Sequence, residues 1–398
     1  MKIALLNWSA GENNPLTPFN EKLKLEFEHC GRDVVIVPLN SLDSSFYQSI
    51  ARLKEDGLDF AISWQGVGSG YCEPPSTHTI WDTLKVPLFC LHGDHPSQKI
   101  ENHRADARYV RHLYIAGSYG RYANRYLPRK HAALTFKLPV LNTKKLNTKP
   151  EGEYFVLAKN INDVNITLEA WKLRCDPVLF NVLTSCVTSI LDSLNSGGVT
   201  DHHAIVDDVL TSVGFVEKIA PLFPSLDSKA FVNTIHSSMN YMYRDAISER
   251  IILEMQDFPI HVYGRGWERY AAMNNPKHRF LPAQSAGDSE NLFYSKFGIL
   301  DVAPSFDCMH DRTLRAVGCG TSFLAVGSHW PHADLMGVNS DDVLFGSEMP
   351  CLKDKAESIA RDPDTHLDKC RIFGSNYRRW ASHFEMLRTL ELLRVQFE

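Results

Sequence analysis

Between Phe297 and Ser328 the sequence reads FGILDVAPSFDCMHDRTLRAVGCGTSFLAVGS. A polar cluster of Asp307, His310, Asp311 and Arg312 stands between two apolar runs. The spacing predicts a buried strand, a short helix from Arg312 to Val317, a Gly-Cys-Gly turn and a second, parallel strand. The polar residues then sit at the carboxyl end of the first strand, beside a helix amino terminus whose N–H groups and positive dipole end favour an anion. Upstream, IHVYGRGW (Ile260 to Trp267) is an apolar strand ending in Gly264-Arg265-Gly266, where the backbone can approach a ligand closely with a guanidinium beside it. Two strand ends that each offer glycine and arginine suit a diphosphate: Arg312 with Arg265 as helper for the charge, Gly264 and Gly266 for the close approach, and His310 for a phosphate or hydroxyl.

A proton acceptor is the other half of such chemistry. His92-Gly93-Asp94-His95-Pro96 closes an apolar strand, which puts a carboxylate and imidazoles at a sheet's carboxyl edge. Asp94 or His95 is the expected general base for a hydroxyl. The acidic pairs Asp341-Asp342 and Asp362-x-Asp364 have metal-like spacing but read as solvated turn residues, so no metal site is expected.

The elements around these residues alternate. KIALLNW, DVVIVPL (Asp33 to Leu39), LDFAISW (Leu58 to Trp64), VPLFCLH and LYIAGS (Leu113 to Ser118) are continuous apolar runs separated by helical stretches, the pattern of a parallel sheet covered on both faces. No G-x-G-x-x-G follows the first strand, and Gly66, Gly68 and Gly70 read as a plain loop. Residues 1–150 form a Rossmann-like domain in this reading, and LPVLNTKKLNTKPEG (Leu138 to Gly152) is the linker. Residues 151–375 form a second domain with a helical insertion at about 165–250, and residues 376–398 a terminal amphipathic helix carrying Trp380, Phe384, Leu387, Leu390 and Leu393.

Composition narrows the class. The 398 residues are 44% hydrophobic and 22% charged, the balance of a globular protein large enough for two domains. No apolar run approaches the ~20 residues that span a bilayer and the start resembles no signal peptide, so a cytoplasmic location and no membrane span are expected. Nine scattered cysteines without C-x-x-C spacing read as reduced thiols. A net charge of −5 weighs against a nucleic-acid partner.

In order and spacing, the carboxyl-terminal half resembles the CgeB-like (spore maturation protein type) glycosyltransferases of GT-B architecture. The resemblance rests on Val262, Tyr263, Gly264, Gly266 and Trp267; on Leu300, Val302 and Pro304; and on His310, Asp311, Arg312, Leu314, Ala316, Gly318 and Gly320. It is strongest over about residues 240 to 330. It implies two Rossmann-like α/β domains facing across a cleft, with the terminal helix crossing back to the first. It further implies a nucleotide-sugar donor, UDP-sugar favoured, held on the second domain, where Trp267, Ser305, Asp311 and Gly320 join the arginines and glycines named above. The acceptor, a glycan, protein or small molecule, would lie on the first domain. Relatives place a glutamate three residues after the motif arginine to hold the ribose. Arg315 stands there, which leaves ribose to Asp311 or to a second-domain loop. Metal-independent, inverting transfer is the expected reaction. A phage-type transferase acting on DNA bases, or a silent nucleotide-binding scaffold on the same frame, are the alternatives.

Overall fold

Two sets of apolar runs dictate two parallel sheets, and the chain divides into two compact units: Met1–Thr143 with Tyr377–Glu398, and Lys144–Asn376. The structure is a computed structural model. It describes residues 1–8, 16–98, 100–103, 105, 107–127, 131–140, 152–196, 201–225, 227–283, 295–305, 307–326, 330, 332, 334–337, 345–346 and 351–397. Most of the expected linker, and Asp341-Asp342, lie outside the described residues.

In the first unit β1 (Lys2–Trp8), β2 (Asp33–Leu39), β3 (Leu58–Trp64), β4 (Leu88–His92), β5 (Val110–Tyr114) and β6 (Leu134–Thr135) form one sheet in the order β2-β1-β3-β4-β5-β6. All pairs are parallel. The connecting helices are α1 (Leu16–His29), α2 (Ser44–Glu55), α3 (Ile80–Leu84), α4 (Ile100–His103) and α5 (Gly117–Tyr126). The fifth strand ends earlier than its apolar run suggests, because Gly117 and Ser118 already open α5. Gly66 and Gly68 turn the chain at positive φ, and the Gly68 carbonyl accepts the Trp81 indole N–H at 2.9 Å, so this loop is structural.

The second unit opens with β7 (Phe155–Ala158) and a run of helices: α6 (Val164–Arg174), α7 (Pro177–Ser196), α8 (His202–Ser212) and α9 (Ser228–Glu254). There follow β8 (Ile260–Tyr263), α10 (Glu268–Ala271), β9 (His278–Leu281), β10 (Gly298–Val302), α11 (Asp311–Cys319), β11 (Phe323–Val326), β12 (Phe345–Gly346) and α12 (Leu352–Arg361). The sheet order is β12-β11-β10-β7-β8-β9, again all parallel. This is the doubly wound order, which reverses direction between β7 and β10, and ligands bind at the carboxyl ends of strands at such a reversal. By length and composition alone α7 is apolar enough to cross a membrane, a test that core helices also pass. Here it packs on α8 and α9 and buries Val182, Leu183, Cys186, Val187, Ile190 and Leu194.

The terminal stretch is two helices, α13 (Pro363–Trp380) and α14 (His383–Arg394), where the periodicity suggested one from Asn376. Ser382 breaks it and caps α14 by accepting the Glu385 N–H at 3.2 Å. Met386, Leu387, Leu390 and Phe397 enter the core of the first sheet beside Phe27, Phe60 and Phe89, while Phe384 is 57% exposed. Arg32 pairs with Glu391 at 2.8 Å and Arg394 with Asp59 at 3.0 Å. Burial therefore decides which substitutions in α14 are felt. Leu390→Ala is expected to cost about 2–5 kcal/mol in urea unfolding, and exposed Leu392→Ala no more than about 0.5 kcal/mol.

Candidate active site

At the reversal in the second sheet, Asp301 of β10 lies on the face covered by α11 and is 1% exposed. One of its oxygens meets His310 Nδ1 at 2.6 Å, and the other accepts the Thr313 backbone N–H at 3.1 Å and hydroxyl at 2.7 Å. His310 Nε2 lies 3.0 Å from Asp311, whose other oxygen is 3.4 Å from Arg315. Burial opposes charge on the imidazole, but the carboxylates of Asp301 and Asp311 outweigh it and hold His310 above its ordinary value. Burial likewise pushes the Asp301 carboxyl up, and the His310 imidazolium more than reverses this, leaving it below the ordinary carboxylate range. His310 is thus a doubly bound cation that seats α11, not a proton acceptor.

Arg312, one residue into α11, is half-buried, and its guanidinium makes no hydrogen bond or ion pair among the described residues. The same holds for the exposed Arg265 side chain, while its backbone N–H is fixed by Asn160 Oδ1 at 2.8 Å. Two further cations, Lys159 and Arg244, stand near Arg312. Lys159 follows β7, and its ammonium bonds the Asn160 carbonyl at 3.0 Å and pairs with buried Asp245. Burial lowers the Lys159 ammonium below the lysine range against the pull of Asp245, and nearby Arg244 and Arg312 add to the lowering. The Arg244 Nε atom is buried without a hydrogen-bond partner. Lys159 carries the same signal as Arg265, a cation directly after an apolar strand. Arg244 on α9 carries none.

Several expected donor residues have other work. A Cβ on Gly264 would come within 2.1 Å of the Lys159 carbonyl, and one on Gly266 within 2.0 Å of that of Ile161. The close approach these glycines allow is to the loop leaving β7. Trp267 is 3% exposed and donates its indole N–H to the Lys159 carbonyl at 2.8 Å, which pins the same loop. Ser305 is buried and donates to Asp307 at 3.1 Å. Gly320 is the left-handed C-cap of α11. It lies about 12 Å along the helix from Arg312, at the wrong end of the sheet for a ligand.

In the first unit Asp94 is half-buried and accepts the Gln65 amide N–H at 2.8 Å. His95 is fully buried, its Nδ1 within 2.8 Å of the Ser97 hydroxyl and its ring against Tyr119 and Tyr122, so it is a core histidine. Asp362 accepts the Thr365 N–H and hydroxyl at 3.1 and 2.7 Å and so caps α13, whose first turn holds Asp364; the expected loop is a helix start.

Solved structures share this architecture. The chain is similar to T4 phage BGT in complex with its UDP-glucose substrate, at a TM-score of 0.53 and 10% identity over 98% of each chain. The fold is GT-B. A second similar structure, the DNA modifying enzyme beta-glucosyltransferase, covers 98% of this chain and 99% of that one, with a TM-score of 0.52 at 10% identity. T4 phage BGT with UDP and Mn2+ gives 0.50 and 10% over 99% of each. No family model and no curated protein sequence matches the chain. The likeness is one of GT-B fold.

The buried pair sets a pH dependence. The His310 contribution to stability is complete below the ordinary imidazole value of 6.5 and is lost as pH rises through its raised folded value. That of Asp301 is present above 3.8 and lost as pH falls through its lowered folded value. Urea unfolding should show a decline in stability above neutrality that shrinks in His310→Gln. Asp301→Asn should cost about 3–5 kcal/mol at pH 6, because it breaks a buried ion pair.

Proposed function

We propose that the chain transfers a glycosyl group from a nucleotide sugar, a UDP-sugar being favoured, to a hydroxyl acceptor. The observation that carries this reading is the set of cations at the carboxyl edge of the doubly wound sheet: Arg312 and Arg265, whose guanidinium groups make no hydrogen bond or ion pair among the described residues, together with Lys159 and the Arg244 Nε atom. A diphosphate that gains charge as it leaves needs such a group. The GT-B fold shared with a glucosyltransferase solved with UDP-glucose supports it. On the motif from Val262 to Trp267 and the H-D-R run we further assign the chain to the CgeB-like group.

In this reading the second unit holds the donor and the first supplies the acceptor side. The bond from the anomeric carbon to the diphosphate oxygen breaks, its electrons going to the leaving group. The acceptor oxygen bonds to that carbon and gives its proton to Asp94, and attack from the opposite face inverts the centre. His310 acts as a positioning residue through α11. The arginines take the leaving-group charge, and no divalent ion is required.

One observation favours a second acceptor. A protein of the same fold over nearly its whole length is described as DNA modifying. Duplex DNA is then the acceptor to test against glycans and small molecules, by binding whose strength falls steeply with salt.

The test is product formation from UDP-sugars with an acceptor panel that includes duplex DNA, in the presence of a chelator. Transfer should persist without free divalent ions. Asp94→Asn should lower kcat about 10²–10⁴-fold while leaving UDP binding unchanged. Full activity of Asp94→Asn would remove the base from this mechanism, and absence of turnover with every donor would favour a binding scaffold.

A further inference from the structure

A second cluster of chemically able side chains lies in the first unit, apart from the cations just described. In the parallel pairing of β4 with β5, Cys90 stands opposite His112 and His92 opposite Tyr114. Residues two apart on a strand share a face, so Cys90, His92, His112 and Tyr114 project together. All four are at most 3% exposed. The Sγ atom of Cys90 and one ring nitrogen each from His92 and His112 all lie within 4.8 Å of one another.

The His112 tautomer is fixed for ligation. His112 Nε2 is 2.8 Å from the Ala105 carbonyl, which can only accept, so Nε2 carries the proton and Nδ1 presents its lone pair. That Nδ1 is 2.8 Å from His92 Nε2. A backbone carbonyl on the far nitrogen is the outer support that metal-bound histidines usually have. His103 stacks on the His92 ring at 4.0 Å between centroids and holds the Tyr114 hydroxyl at 2.9 Å, which closes the wall of the cluster. A tetrahedral zinc ion, with bonds of about 2.0–2.3 Å, needs its ligand atoms roughly 3.3–3.8 Å apart. The two imidazole nitrogens are 2.8 Å apart and all three ligand atoms fall within 4.8 Å, so the imidazoles must part by roughly 0.5–1 Å for an ion to be held.

We infer that Cys90, His92 and His112 form a binding site for one borderline-soft divalent cation of the zinc type. Thiolate and imidazole are the donors such ions prefer. On binding, the Cys90 thiol proton passes to solvent and the proton that His92 Nε2 holds toward His112 Nδ1 moves to His92 Nδ1, so both imidazoles ligate as neutral rings. Cys90 and His112 face each other mid-strand and His92 is the last residue of β4, so the ion cross-links β4 and β5 two residues before Asp94. The cysteines read as plain thiols for want of C-x-x-C spacing; here the ligands come from C-x-H on one strand and a histidine on its neighbour.

Metal content of the full chain, expressed with added Zn2+ and freed of loosely held ions by gel filtration, tests this without substrate and so independently of the glycosyl-transfer reading. About one equivalent of zinc per chain is expected, falling at least tenfold in Cys90→Ser. Loading the wild type with Co2+ should give visible ligand-field bands and a near-ultraviolet thiolate charge-transfer band, which does not depend on any variant folding. Wild-type protein that holds no zinc and shows no charge-transfer band overturns the site, as does full zinc content in folded Cys90→Ser.

Discussion

Asp301 is a carboxylate with almost no access to water, and the arrangement of the second unit's site follows from how its charge is met. A buried charge persists only if it is paired and hydrogen-bonded. Here a histidine side chain, a hydroxyl and a backbone N–H of α11 provide this. The consequence is that the positive end of α11 already faces the protein's own carboxylate. A ligand anion must then be met chiefly by side chains, and Arg312 emerges from this fixed first turn with its guanidinium uncommitted.

The same device recurs one strand over. Lys159 is held by Asp245, which also accepts the Asn162 N–H at 3.1 Å, so the loop after β7 is tied to α9. Gly264, Gly266 and Trp267 pack against that loop from the β8 side. Strand ends on both sides of the sheet reversal are thus rigid before any ligand arrives. Preorganised cations of this kind stabilise charge that develops during a reaction without reorganising to do so.

Much of this was legible in the residues. Strands that are continuous apolar runs declared themselves, and β2 and β3 fall on the predicted residues. The short strands β6 and β9 did not: β9 is four residues with a mixed burial pattern, and β6 is two, too short for any periodicity. The positions of Arg312, Arg265 and Asp94 at strand ends followed from the alternation of elements. What pairs with them did not, because Asp301 to Thr313 and Lys159 to Asp245 are contacts between elements. His95 shows the same limit: a histidine at a strand end looks available, and only packing against Tyr119 and Tyr122 reveals it as core. The glycines were recognised as sites of close approach, but the neighbour is backbone from the adjacent strand's loop.

The central claim is that the uncommitted guanidinium of Arg312 binds a diphosphate, and calorimetric titration of UDP into the wild type, Arg312→Ala and Arg315→Ala measures it most directly. Arg315 is the control, since its charge is already paired with Asp311. The account predicts that the wild type binds UDP, that Arg312→Ala weakens binding at least tenfold, about 1.4 kcal/mol, and that Arg315→Ala stays close to the wild type. Equal UDP affinity in the wild type and Arg312→Ala, or no binding by the wild type at millimolar UDP, would contradict it.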